Sequence, residues 1–293
     1  MKTPQIFLLV TAALILGLIS LWIGDQSYSW LPPQGSTESI LIDDLFAFLV
    51  SLGSFIFLGV TGVVIYFVIF NRAAKYDWRD GPAIEGNITL EIIWTVIPIL
   101  LVFWIAGYSY QIYQKMGIQG TGLHAHQSIN TVQIESANQG IETIEVIAKQ
   151  WAWIFRYPDS NVTSTELHLP ANKRVRLALR SQDVLHGFYI PAFRLKQDMI
   201  PQETIDLEFT PIRPGNYQLE DSQFSGTYFA TMTANIIVES EEDYQHWLKK
   251  AEKQKPFLAN NQAFSEYSQQ SQKAIKTGWP SVVPSPPPMV NYQ

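Results

Sequence analysis

The sequence predicts a membrane α-helical hairpin followed by an all-β domain. Two observations carry that prediction. Long uncharged apolar runs crowd the first 115 residues. From about residue 131 to 240 the chain instead alternates apolar and polar residues between turn signals. The overall 47% apolar content is ordinary, so the uneven distribution is the informative feature. A formal net charge of −6 argues against a nucleic-acid partner, which needs a basic face. Zero cysteines exclude disulfides, zinc–thiolate sites, iron–sulfur clusters, thiolate-bound copper and a lipobox anchor.

Residues 1–24 come first. Ile6 to Ile23 is apolar behind Lys2, between a signal peptide's core and a short spanning helix in length. Trp22-Ile23-Gly24-Asp25 is a poor cleavage site, so both a signal peptide and an N-terminal anchor stay open. Residues 25–115 hold the hairpin. Its first span, about 45–70, is uncharged, and Gly53, Gly59 and Gly62 suit close helix packing in lipid. The second, about 89–110, carries only Glu91, and Pro98 within it is tolerable beside neighbouring helices. The loop between them holds Arg72, Lys75 and Arg79, which places it in the cytoplasm and everything after residue 115 on the opposite face.

A linker is expected over 116–130; its "HAH" at 124–126 reads as solvated rather than as a metal site. In the β domain, 131–240, "ETIEVIA", "RVRLALR", "ETIDLEF" and "ANIIVE" have the period of half-buried strands. The tail, 241–293, begins within "ESEEDYQHWLKKAEKQ", which reads as one amphipathic helix, acidic first and basic last as a helix dipole favours. A proline-rich end follows, expected to be extended or disordered.

Three stretches go further: "LEIIWTVIP" (90–98), "KQWAWIFRYPD" (149–159) and "DVLHGFYIPAFRLKQDMIP" (183–201). In that order they resemble subunit II of the haem–copper respiratory oxidases. The resemblance implies a cupredoxin-like Greek-key β-sandwich or barrel on the outer face. "DGPAIEGNITLEIIWTVIP" is similar to cyanobacterial members, the alternative respiratory terminal oxidases, whose expected donor is plastoquinol.

In the family's cytochrome c oxidases this domain holds a binuclear copper centre, bridged by two cysteines. Laid on this sequence, the ligand positions fall on His186, Asp221, Gln223, Ser225, Phe229 and Met232, with spacing kept and both cysteines gone. The resemblance therefore implies a vestigial site with no metal. His186, Asp221 and Met232 would mix hard and soft ligands around any single ion. It implies subunit II of a quinol oxidase, with no cofactor on this chain and the haems and a copper ion in subunit I. Expected partners are subunit I, subunit III, the bilayer and a membrane quinol. The expected location is a bacterial inner or thylakoid-type membrane, with the β domain on the periplasmic or lumenal side. The family's lipoprotein-type quinol oxidases are a departure, since this chain lacks the necessary cysteine.

Two further residues take roles from the resemblance. Glu91 falls at the cytoplasmic entrance of a proton channel into subunit I; the plain alternative is a carboxylate at a helix start, favoured by the dipole. Trp151 falls where cytochrome c electrons enter; with Trp153, Phe155 and Tyr157 it equally forms a packing cluster. Asp183 is the acidic candidate left for a docking surface, and Arg156 opposes a basic partner. Two other readings remain: a cytochrome c oxidase subunit II with a lost or altered copper site, and a membrane-anchored copper-handling or assembly protein.

Overall fold

The structure is a computed structural model that describes residues 3–72, 76, 86–117, 141–272 and 282–293. Lys75, Arg79, the "HAH" stretch, most of the expected linker and the first residues of the expected β domain lie outside these. The chain divides into two compact units, a helical one (Met1–Leu31 and Leu41–Lys115) and a β-rich one (Pro32–Ile40 and Met116–Gln293).

The helical unit is built from α1 (Thr3–Gln26), α2 (Thr37–Phe70) and α3 (Ile88–Met116). All three are long and apolar enough to cross a membrane. Residues such as Phe57, Ile69, Ile88 and Phe103 present large apolar side chains outward, as a lipid-facing or subunit-facing helix must. The close helix approach does not use the expected glycines. An added Cβ at Gly53 or Gly62 would meet nothing, and at Gly59 only an ordinary contact with Leu16. At Gly24 it would lie 1.8 Å from Ser51 Oγ and 2.7 Å from the Ala47 carbonyl, so α1 and α2 touch backbone to backbone there. Phe48 on α2 packs edge-on against Trp104 and Tyr108 of α3, each at 5.2 Å.

Helix α2 starts before its uncharged run because Ser36 and Ser39 cap it reciprocally. Ser36 Oγ accepts the Ser39 N–H at 3.1 Å and Ser39 Oγ accepts the Ser36 N–H at 3.3 Å. In the β unit, Glu38 is buried, accepts the Thr210 N–H at 3.2 Å and lies 3.6 Å from Arg174. Arg174 also binds Glu208, which is shared with Arg176 at 2.9 Å. Each buried carboxylate thus meets a cation, as burial requires.

The β domain is a sandwich of two five-stranded sheets. One runs β3 (Val162–Ser164), β2 (Ala152–Tyr157), β1 (Glu142–Lys149), β5 (Val175–Ser181), β8 (Thr204–Phe209). The other runs β4 (Leu167–Pro170), β10 (Thr233–Glu239), β9 (Gly215–Asp221), β6 (His186–Ile190), β7 (Leu195–Met199). Pairing is antiparallel except β1 with β5 and β4 with β10. The alternating segments do become strands: Ile144, Val146 and Ala148 point into the core, and so do Val175, Leu177 and Leu179. β4 is buried at all four positions, because α4 (Glu241–Glu252) covers its outer face. Ser240 caps α4 by accepting the Asp243 N–H at 3.1 Å, and Tyr244, Trp247, Leu248 and Ala251 form its buried stripe.

The proline-rich end is extended, but it is docked rather than loose. β12 (Met289–Val290) pairs with β11 (Phe257–Leu258), Val290 is fully buried, and Tyr292 bridges to Ser164.

Candidate functional site

At one end of the sandwich, β6 opens with His186 and β9 closes with Asp221, which leads into the loop that returns through Met232 to β10. The register pairs Phe188 with Asp221, which brings the two strand ends together. A Cβ at Gly187 would lie 2.2 Å from Ser222 Oγ and 2.9 Å from the Gln223 nitrogen, so the loop folds down onto bare backbone. Gly226 has φ +117°, and its Cβ would meet Trp151 Cζ2 at 2.8 Å.

His186 is fully buried and has a carboxylate on each ring nitrogen: Nδ1 to Asp221 Oδ2 at 2.8 Å, Nε2 to Asp183 Oδ1 at 2.9 Å. With a carboxylate oxygen at both ends, the geometry favours the imidazolium, in which both nitrogens donate. Burial opposes that charge, but the Asp183 and Asp221 hydrogen bonds outweigh it and raise His186 above its ordinary value. Burial likewise works to raise both aspartates; hydrogen bonds from His186 and from backbone N–H groups outweigh it and hold them below the usual carboxylate range. Asp221 Oδ1 accepts from the Gly187 N–H at 2.7 Å and the Gln223 N–H at 3.1 Å. Asp183 Oδ2 accepts the Gln150 N–H at 2.7 Å. Asp183 therefore binds His186 and the β1–β2 turn, while its side chain keeps 28% of its surface open to solvent.

The other loop positions surround this triad. Gln223 Nε2 donates to Asp198 Oδ1 at 2.8 Å. The Ser225 carbonyl accepts from Gln150 Nε2 at 2.7 Å and Trp151 Nε1 at 3.2 Å. Phe229 packs edge-on against the exposed Phe224 at 5.1 Å. Met232 is buried in the core, and its carbonyl accepts from Trp153 Nε1 at 3.0 Å. The structure thus gathers His186, Asp221, Gln223, Ser225, Phe229, Met232 and Trp151 at one end of the sandwich. Arg156 forms an exposed ion pair with Glu145 at 3.5 Å, worth about 0–1 kcal/mol.

Glu91 lies in the helical unit, in the first turn of α3. Asn87 caps that helix by accepting the Leu90 N–H at 3.2 Å, and Glu91 is exposed beside Gly86. Sequence reasoning missed the companions of His168, because they come from distant segments. Its ring stacks on Trp247 at 3.8 Å and 8°, with Glu239 at 3.4 Å and Glu166 at 3.7 Å on its two nitrogens.

Two family models match the chain: the transmembrane domain of cytochrome c oxidase subunit II over residues 27–112, and its periplasmic domain over 162–241. Among curated relatives, cytochrome c oxidase subunit 2 of Synechocystis sp. is 32% identical over 277 residues, covering 85% of this chain and 83% of the relative. Its namesake from Thermostichus vulcanus is 34% identical over 281 residues, with 84% and 85% covered. Quinol oxidase subunit 2 of Bacillus spizizenii is 25% identical over 276 residues, with 88% and 75% covered. The chain belongs to subunit II of the haem–copper oxidases. It is a membrane-anchored subunit of a terminal oxidase complex, with the cupredoxin-like β-sandwich of that family. The binuclear copper centre of this subunit II family does not fit the residues present. No sulfur can bridge two coppers where Asp221 and Ser225 stand, and an apolar ring replaces one imidazole at Phe229. Of the ligand positions, His186 is committed at both nitrogens to carboxylates.

Proposed function

We propose that this subunit II serves a quinol-oxidising haem–copper oxidase, which reduces oxygen to water and pumps protons. The chain supports subunit I and carries no electrons itself; the haems and a copper ion belong to subunit I, and subunit III completes the assembly. The observation that carries this reading is the Asp183–His186–Asp221 triad, which uses ion pairing to hold a loop whose spacing matches the family's copper loop. A domain built this way has no relay for electrons from a soluble protein, so the donor must reach subunit I from within the membrane. We place the complex in a bacterial inner or thylakoid-type membrane, with the β domain on the periplasmic or lumenal side.

Oxygen uptake by the purified complex tests this directly. Uptake with quinol and none with reduced cytochrome c is the expected result. The second reading, cytochrome c as donor, is favoured by the names of the Synechocystis and Thermostichus relatives. Uptake with cytochrome c alone would establish it in place of the first. In either case Glu91 is proposed as the proton-channel entrance: an ionisable group at the start of a spanning helix tends to be functional. Glu91→Gln is expected to slow turnover while the complex still assembles. Wild-type turnover in that variant would return Glu91 to the role of a carboxylate at a helix start.

A further inference from the structure

Trp151 is 2% exposed. The ring's own loop contacts are Gly226, the Ser225 carbonyl and an edge-on Tyr228 at 5.2 Å. The C-terminal segment, which lies beyond the matched periplasmic-domain model ending at residue 241, binds the backbone of the β1–β2 turn. Asn261 Nδ2 donates to the Trp151 carbonyl at 3.4 Å, and the Ser285 N–H donates to the Gln150 carbonyl at 2.6 Å. Asn261 also caps α5 (Gln262–Gln272) by accepting the Phe264 N–H at 2.9 Å. Ala263 of α5 is 1% exposed and belongs to the same core as Trp151 and Tyr228, with Tyr267 packed against it. Tyr228 feels the helix as well: burial, then the charge of Glu266 and then Tyr267, raises its hydroxyl.

The same segment closes the sheet edge next to this face. The Thr163 carbonyl accepts the Asn291 N–H at 2.7 Å, Asn291 Oδ1 accepts the Thr163 N–H at 3.1 Å, and the Tyr292 carbonyl accepts the Thr165 N–H at 3.3 Å. β3 is an outer strand, and an open outer strand is a template for pairing with another chain. An 11-residue helix of modest hydrophobicity is marginal alone, so α5 owes its order to this docking.

We propose that the C-terminal segment, residues 257–272 and 282–293, is a built-in cap that occupies the Trp151–Tyr228 face and closes it to any soluble electron-carrying protein. The cap deepens the quinol reading above and rests on it for its meaning, though not for its geometry. A helix with its side chains is about 10–12 Å thick, so a docking protein would be held off by a layer of that depth. The Gln150 and Trp151 carbonyls each already accept a hydrogen bond from the segment.

Hydroxyl-radical footprinting of the intact purified complex, read by mass spectrometry, tests the cap. In the full-length chain Trp151 and Tyr228 should be protected. In a chain ending at Gln254 their modification should rise several-fold, while Trp153, 2% exposed in the core, stays protected and reports that the domain is folded. Should that truncation unfold the domain, the double variant Asn261→Ala with Ser285→Pro removes the two contacts to the turn together with the α5 cap, and takes its place. Trp151 and Tyr228 staying protected in a folded cap variant would overturn the proposal, as would reactive residues in the full-length complex. Quinol-driven oxygen uptake on the same preparations separates the two readings. A protected face without quinol activity sinks the donor assignment alone; a reactive face in a quinol-active complex sinks the cap alone.

Discussion

His186 and His168 are both buried to 2% exposure or less in one β domain, yet they are held by opposite means. His186 is gripped by charge, with carboxylate oxygens at 2.8 and 2.9 Å in line with its ring nitrogens. His168 is gripped mainly by surface: Trp247 lies flat on it and Tyr292 meets it edge-on at 5.5 Å, while its carboxylates stand farther off, Glu239 at 3.4 Å and Glu166 at 3.7 Å. The first arrangement fixes the loop that runs from Asp221 to Met232. The second fastens α4 and the C-terminal segment to the sheet. A buried imidazole can therefore be a cross-link or a packing element, and its partners decide which.

Replacing each ring by a phenyl should separate the two most sharply. His186→Phe strands Asp183 and the fully buried Asp221 without their cation, which costs about 3–5 kcal/mol. Unfolding followed by tryptophan fluorescence would read that loss, and a change below about 1 kcal/mol would show that the triad is not a cross-link.

A weaker test of the same contrast is pH. Asp183 and Asp221 lie below their ordinary 3.8, so their contribution is complete above that value and is lost as pH falls through the lower folded values. His186 lies above its ordinary 6.5, so its contribution is complete below 6.5 and is lost as pH rises through the raised folded value. The triad should therefore stabilise the domain most between about pH 4 and 6.5. His186→Phe should flatten the profile on both sides of that window; an unchanged profile would assign the dependence to other groups.

The smallest effect is expected for His168→Phe. It keeps the stacked area on Trp247 and leaves Glu166 and Glu239, each more than 20% exposed, to water. The change keeps the packing and gives up one long hydrogen bond, to Glu239 at 3.4 Å, so it should cost about 0.5–1.5 kcal/mol. A loss as large as that of His186→Phe would erase the distinction between the two rings.

Much of this architecture was legible because half-buried strands leave a period-two pattern, as in Glu142–Lys149 and Thr233–Glu239. β4 left none, since α4 buries its second face. The loop positions from Asp221 to Met232 were legible through the family resemblance, by laying its loop on this sequence. What they became was not: nothing in "DVLH" says that Asp183 turns inward to meet its neighbour three residues on. The docked C-terminus was hidden for a different reason. Its anchors are few and scattered, chiefly Ala263, Val290 and Tyr292, too sparse to show a hydrophobic period.

The two parallel pairings carry a consequence for how the domain comes to exist. Leu167 of β4 finds its neighbour in Ile236 of β10, so the strands between them must be made before that ladder can close. Such long-range pairing slows folding, because the chain surrenders loop entropy before any contact rewards it. During that delay Leu167 and Leu169 have neither their ladder nor the helix that later shields them. Until the ladder closes, this short apolar strand is open to misassembly and proteolysis.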